Sequence, residues 1–161
     1  MEVQGEVILF SNTDFSTPIE EIEKLQAYIR KCYDITIGSW SLIESNIEVR
    51  QAWYREGIGR IFNIFVQVMV LRGFVDTQCG FKYFSREKTV PIFSQMTVQG
   101  FCFDVEFLFV AKKQGLKIIE VPVKWRHVPF SRVSLISDSI HMLLDLMRIR
   151  KNNKKGLYRW N

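Results

Sequence analysis

Glu6-Val7-Ile8-Leu9-Phe10-Ser11-Asn12-Thr13-Asp14 is the stretch on which the fold class turns. Four apolar residues in a row, closed by turn-forming polar ones, make a short buried strand with an acidic loop at its carboxyl end. Thr17-Pro18-Ile19-Glu20 follows. Thr17 suits a helix cap, Pro18 the first helical position, and Glu20 a capping box. Ile22, Leu25 and Ile29 then recur at helical spacing as far as Arg30, and Ile35-Thr36-Ile37-Gly38-Ser39 reads as a second strand. Strand, acidic loop, helix, strand is a βαβ unit, and the expected class is α/β.

Working outward, residues 41–49 read as a polar loop and residues 50–72 as a long helix with an apolar face. Turn residues and strand formers mix over 74–84. A short helix is expected at 85–95, started by Ser85. Another is expected at 103–114, stopped by Gly115. Residues 117–124 form a strand, placed at a sheet edge because Pro122 lacks an amide donor. An amphipathic helix over 135–150 carries Ile136, Ile140, Leu143, Leu144 and Met147. The organisation expected is one domain over 1–147 and a basic tail over 148–161.

Of the 161 residues, 47% are hydrophobic and 24% charged, which excludes a disordered chain. The net charge of +5 is unevenly spread. Residues 1–75 hold ten acids and seven bases, whereas residues 76–161 hold seven acids and fifteen bases. The second half therefore suits an anionic partner: a membrane surface, a phosphate-bearing substrate or nucleic acid. No nucleic-acid reading motif accompanies the bases, so nucleic acid is not expected. Three cysteines, Cys32, Cys79 and Cys102, without CxxC spacing argue against a disulfide framework or zinc site. The most apolar run, residues 58–75, is broken by Arg60, Asn63, Gln67 and Arg72, and reads as a buried helix rather than a membrane span. Met1 opens no signal peptide. Six bases between Arg148 and Arg159, with Tyr158 and Trp160 among them, fit either a membrane interface or a solvated terminus.

Three segments together resemble family 2 glycosyltransferases of the dolichyl-phosphate glucosyltransferase branch. The first is Gly5-Glu6-Val7-Ile8-Leu9-Phe10-Ser11-Asn12-Thr13-Asp14-Phe15-Ser16-Thr17-Pro18, similar to the family's strand and DxD loop. The second, Asp76-Thr77-Gln78-Cys79-Gly80-Phe81-Lys82, is close to the branch hallmark. The third runs from Phe103-Asp104-Val105-Glu106 to Glu120-Val121-Pro122-Val123-Lys124-Trp125 and on to Phe130-Ser131-Arg132. The sequence departs from the family at Asn12, where the DxD loop has its first acid. It departs again at Trp40, where a basic residue follows Gly-Ser, and at Phe130 and Arg132, where the family has glycine and lysine. The resemblance implies that a strand–helix–strand portion binding the uridine end of the donor lies outside this chain.

What the resemblance implies is a partial GT-A-like three-layer sandwich with a mostly parallel sheet. The implied activity is transfer of glucose, with inversion, from UDP-glucose to a polyprenyl phosphate, assisted by Mg²⁺ or Mn²⁺. Asp14 is the metal ligand it points to, with Asn12 offering a neutral carbonyl; Asp14 alone reads equally as a turn residue. Asp76 falls near the reacting centre as base or sugar ligand, although its residue type also suits a turn cap. Gln78 suits sugar hydroxyls, and Lys82, Arg126 and Arg132 suit phosphates. Asp104 lies on the acceptor side, with Glu106 a structural partner for a base. His127 and His141 read as structural, and Cys79 as a buried thiol. The implied location is the cytosolic face of the endoplasmic reticulum or another membrane. A homo-oligomer or a partner chain is expected to complete the sheet. The competing expectation is a non-catalytic remnant that docks on a membrane or on a partner.

Overall fold

The computed structural model describes residues 5–128 and 137–158. A four-stranded sheet carries the fold, in the order β1 (Val7–Ser11), β4 (Phe81–Ser85), β2 (Ile35–Ser39), β5 (Ile118–Pro122). β4 is antiparallel to both β1 and β2, while β2 and β5 are parallel. Three of the four strands thus point one way and β4 alone is reversed. The βαβ unit is present as β1, α1 (Ile22–Ile29) and β2, but β4 is inserted between its two strands. β5 lies at the edge expected from Pro122.

Burial follows from this order. β2 is buried at every residue and β4 at four of five, as strands covered on both faces must be. Direct register partners share a face, so Phe10, Lys82, Ile37 and Glu120 form one row across the sheet. That face meets α4 (Phe103–Lys113): Phe10 packs edge-on against Phe103, and Phe84 against Phe107. α1 packs along β2, β4 and β5 and covers the other face. Helix, sheet and helix make the three layers expected.

Several local expectations need correction. The helix after β1 opens as a 3-10 turn at Ile19–Glu21, preceded by Pro18, with no side-chain cap. Thr17 is buried instead of capping, and the buried Glu21 binds Lys24 and accepts the Lys124 amide. The 41–49 loop contains β3 (Asn46–Val49), paired in parallel with β6 (Lys124–Arg126) in a second small sheet. Four mostly exposed residues show no alternation to betray this strand; only its distant partner creates it. The long helix is α2 (Trp53–Met69), and α3 spans Arg86–Phe93. α4 ends where Gly115 takes φ +79°, a conformation that favours glycine.

The 148–161 tail is corrected furthest. α5 (Ser137–Lys154) crosses residue 147 without a break, and Tyr158 is buried. Its hydroxyl donates to Glu106 Oε1 at 2.5 Å. Glu106, fully buried, also accepts the Thr97 and Val98 amides and the Thr97 hydroxyl. Its partners are therefore neutral donors rather than the base expected. Tyr158 cannot serve a membrane interface from there; Trp160 lies outside the described residues.

Candidate functional site

β1, β2 and β5 end at one edge of the sheet, and the reversal of β4 brings its preceding turn, residues 76–80, to that same edge. Open α/β sheets bind ligands at the carboxyl ends of their strands. Here that edge holds a cleft of about 820 Å³. Asn12 and Asp14 reach it from the end of β1, Trp40 from the end of β2, residues 75–80 from the turn before β4, Trp125 from β6 and His127 from just beyond it. α2 forms the opposite wall with Arg55, Gly59, Phe62 and Asn63.

The turn before β4 is held by carboxylates. Glu120 accepts the Val75 amide at 2.8 Å and the Asp76 amide at 2.7 Å. Asp76 in turn accepts the Cys79 amide at 3.0 Å and the Trp40 amide at 3.4 Å. It is thus both a turn cap and a cleft residue, and its two sequence readings coexist. Burial pushes the Asp76 carboxyl up to about 6, and the nearby Glu120 charge adds to the rise. Lys82 and the two amides oppose it. Gln78 lines the cleft while its amide donates to the Phe101 carbonyl at 3.1 Å. Burial also pushes the Cys79 thiol up to about 12, in keeping with an inert thiol.

Lys82 is not a free cation. It is 1% exposed, donates to the Cys79 carbonyl at 2.6 Å and pairs with Asp104 at 2.8 Å. Burial raises the Asp104 carboxyl, against the pull of Lys82. This pair lies beneath the 76–80 turn as its foundation, and neither member lines the cleft. Arg126 is exposed on β6, away from the lining. Arg132 lies outside the described residues. The cations that do line the cleft are Arg50, Arg55 and Arg60, which the sequence reading passed over. The available signal was the polar or small series Arg55, Gly59, Asn63, spaced by four along one side of the helix. Glu120 was also missed; its mark was a lone acid in an apolar strand.

At the β1 end, Asn12 donates its amide to the Gly80 carbonyl at 2.9 Å. Its side chain lies so close over Gly80 that a Cβ there would stand 1.9 Å from Asn12 Oδ1. Asp14 is exposed, and its Oδ1 accepts the Ser16 amide at 3.0 Å. No group of three or more His, Cys, Asp or Glu side chains able to hold a metal occurs among the described residues. One carboxylate and one amide carbonyl fit only a hard cation that takes most of its ligands from phosphate and water, as Mg²⁺ does. On the far wall Trp40 and Trp125 stack with centroids 5.2 Å apart, and His127 lies beside Trp125. His127 is thus a cleft residue, beyond the structural role expected of it.

No protein-family model matches the chain. Curated relatives do. The chain is 32% identical to a dolichyl-phosphate beta-glucosyltransferase of Dictyostelium discoideum, over 97% of this chain and 49% of that protein. It is 31% identical to the Saccharomyces cerevisiae enzyme of the same name, over 100% of the chain and 52% of the enzyme. Against the Homo sapiens enzyme the figures are 30%, 97% and 50%. The chain spans about half the length of the curated relatives it matches. Over the half that it shares with them, this chain is dolichyl-phosphate beta-glucosyltransferase-like, a relative of glycosyltransferases.

Proposed function

We propose that this chain carries the acceptor-side half of a glucosyltransferase that passes glucose from UDP-glucose to a polyprenyl phosphate at a membrane surface. The observation that carries the reading is the 76–80 turn. It is the part of the sequence closest to the branch hallmark, and it floors the cleft at the carboxyl edge of the sheet. The relatives' names supply the acceptor class and the sugar. The cytosolic face of the endoplasmic reticulum is the location we propose. No described helix is long and apolar enough to cross a membrane.

The chemistry needs little covalent help. A phosphate monoester has its second pKa near about 6, so the acceptor is mostly a dianion at neutral pH. Its oxygen attacks the anomeric carbon as the bond from that carbon to the diphosphate oxygen breaks, and the configuration inverts. The acceptor becomes a diester monoanion and UDP leaves as a trianion, so charge balances with no proton moved. Near that pH, where part of the acceptor still carries a proton, the ionised fraction of Asp76, whose raised pKa matches it, can take that proton. Arg55 and Arg60 stand on the wall where phosphate charge must be held. Asp14, with the Asn12 carbonyl, would hold Mg²⁺ or Mn²⁺, which would neutralise the departing diphosphate.

The test is transfer of labelled glucose from UDP-glucose to a short polyprenyl phosphate by the chain, alone and with Asp76→Asn. Calorimetric titration with UDP-glucose and Mn²⁺ accompanies it. Transfer by the parent chain that Asp76→Asn lowers, most of all near pH 6, supports the reading. No binding at millimolar donor overturns it for this chain and leaves a non-catalytic docking module.

A further inference from the structure

Helix α2 has two chemically different sides. At about 100° per residue, Arg55, Gly59, Phe62 and Val66 fall on one side, where they line the cleft or are buried. Trp53, Tyr54, Ile61, Phe65 and Val68 fall within an arc of about 120° on the other. All five are exposed, Trp53 to 84% and Val68 to 66%. Ile64, at the margin of that arc, is exposed but lines the cleft. A helix resting on its own domain turns its apolar stripe inward and a polar face to water. Here the outward stripe is apolar too, and a contiguous patch of this kind marks a contact surface.

What borders the stripe selects the partner. α5 packs against α2 and adds Ile140, Leu144 and Met147, exposed at positions i, i+4 and i+7. The same helix and its end expose Arg148, Lys151, Lys154 and Lys155. Arg72, just beyond the end of α2, is exposed as well. Apolar side chains edged by bases fit the headgroup boundary of an anionic bilayer. The cleft lies on the inner side of the same helix. A phosphate on a lipid whose tail stays in the bilayer therefore has only one helix, about 10 Å across, to pass.

We infer that the outward face of α2, together with the basic end of α5, is the surface by which this chain lies on an anionic membrane, with α2 as the partition between bilayer and cleft. The lipid-acceptor part of this inference rests on the transfer reading above; the docking surface does not.

Flotation with vesicles of phosphatidylcholine, with and without phosphatidylserine, tests it in the absence of any substrate. The chain is expected to float with the anionic vesicles and less with the neutral ones, with a blue shift of tryptophan emission that W53F diminishes. F65E/V68E should lower the bound fraction at least tenfold, and I61E alone severalfold. V90E, an exposed position on α3, should leave it unchanged. Because Phe65 and Val68 are exposed, circular dichroism should match the parent. The inference is overturned if the double variant floats like the parent or if the parent does not float. It is overturned equally if the parent is a dimer that F65E/V68E dissolves, for then a second copy covers the face. Transfer to a short, water-soluble acceptor should survive F65E/V68E. Absence of that transfer in the parent, with flotation intact, would sink the transfer reading and leave the docking surface standing.

Discussion

Glu120 grips Asp76 by its backbone: Oε1 accepts the Asp76 amide at 2.7 Å while Oε2 accepts the Val75 amide at 2.8 Å. One side chain in the middle of an edge strand thus fixes the turn that presents the carboxylate closest to the proposed chemistry. The Asp76 side chain is then free to bind the Trp40 and Cys79 amides, tying β2 and β4 to the same turn.

Glu120→Gln should loosen this turn. A glutamine accepts one of the two amides and sets its own NH₂ against the other, which costs about 2 kcal/mol. Urea unfolding reads that loss. Glucosyl transfer should fall with it, and the acid limb of the pH profile should move down, since the Glu120 charge helps to raise Asp76. A limb that stays in place would mean Glu120 acts on the fold alone.

The Asp76 carboxyl rises from an ordinary 3.8 to about 6 on folding. A folded-state pKa above the unfolded one favours the neutral form in the native protein. The associated stability is present below pH 4 and is lost as pH rises through 6. Two units correspond to about 3 kcal/mol. Asp104 is shifted in the same direction and adds to the trend. Comparing denaturation of the parent and Asp76→Asn between pH 4 and 7, the difference between them should change by most of that amount. Parallel curves would refute the assignment.

Gly80→Ala should spare the fold and damage the cleft. The new methyl would meet Asn12 Oδ1 at 1.9 Å, and a short side chain at an exposed position can swing away. We expect a stability change within about 1 kcal/mol. Affinity for UDP-glucose and Mn²⁺, measured by calorimetry, should drop severalfold as Asn12 leaves its place. Asn12→Asp in the parent should act oppositely and raise Mn²⁺ affinity by restoring a negative ligand.

Tyr158→Phe should cost about 2 kcal/mol, the range for hydrogen bonds to charged groups. The phenol donates to the buried Glu106 carboxylate, beside the Thr97 hydroxyl on the same oxygen. Truncation before residue 148 should be worse, because it removes half of a buried helix face that includes Ile149 and Asn152. Thermal melts of both variants provide the measurement; an unchanged midpoint on truncation would show that the segment is dispensable.

The sequence by itself determined the elements whose pattern is local. The apolar runs at 7–10 and 35–37, the spacing of Ile22, Leu25 and Ile29, and the Gly115 stop all follow from rules that act within a few residues. It also carried the family relationship, because residues 76–82 and 120–125 hold their identities whatever surrounds them. Only the tertiary structure decided how those pieces meet. Nothing local tells β4 to run in reverse between β1 and β2, yet that insertion carries Asp76 to the sheet edge. Nothing local pairs Lys82 with Asp104, which takes a nominated phosphate ligand out of the cleft. Nor does the basic composition of 148–158 reveal that Tyr158 closes on Glu106, 52 residues away. Charge and residue type are written along the chain. Whether a charge is spent in the core or offered to a ligand depends on partners brought together across the fold, and periodicity does not encode partners.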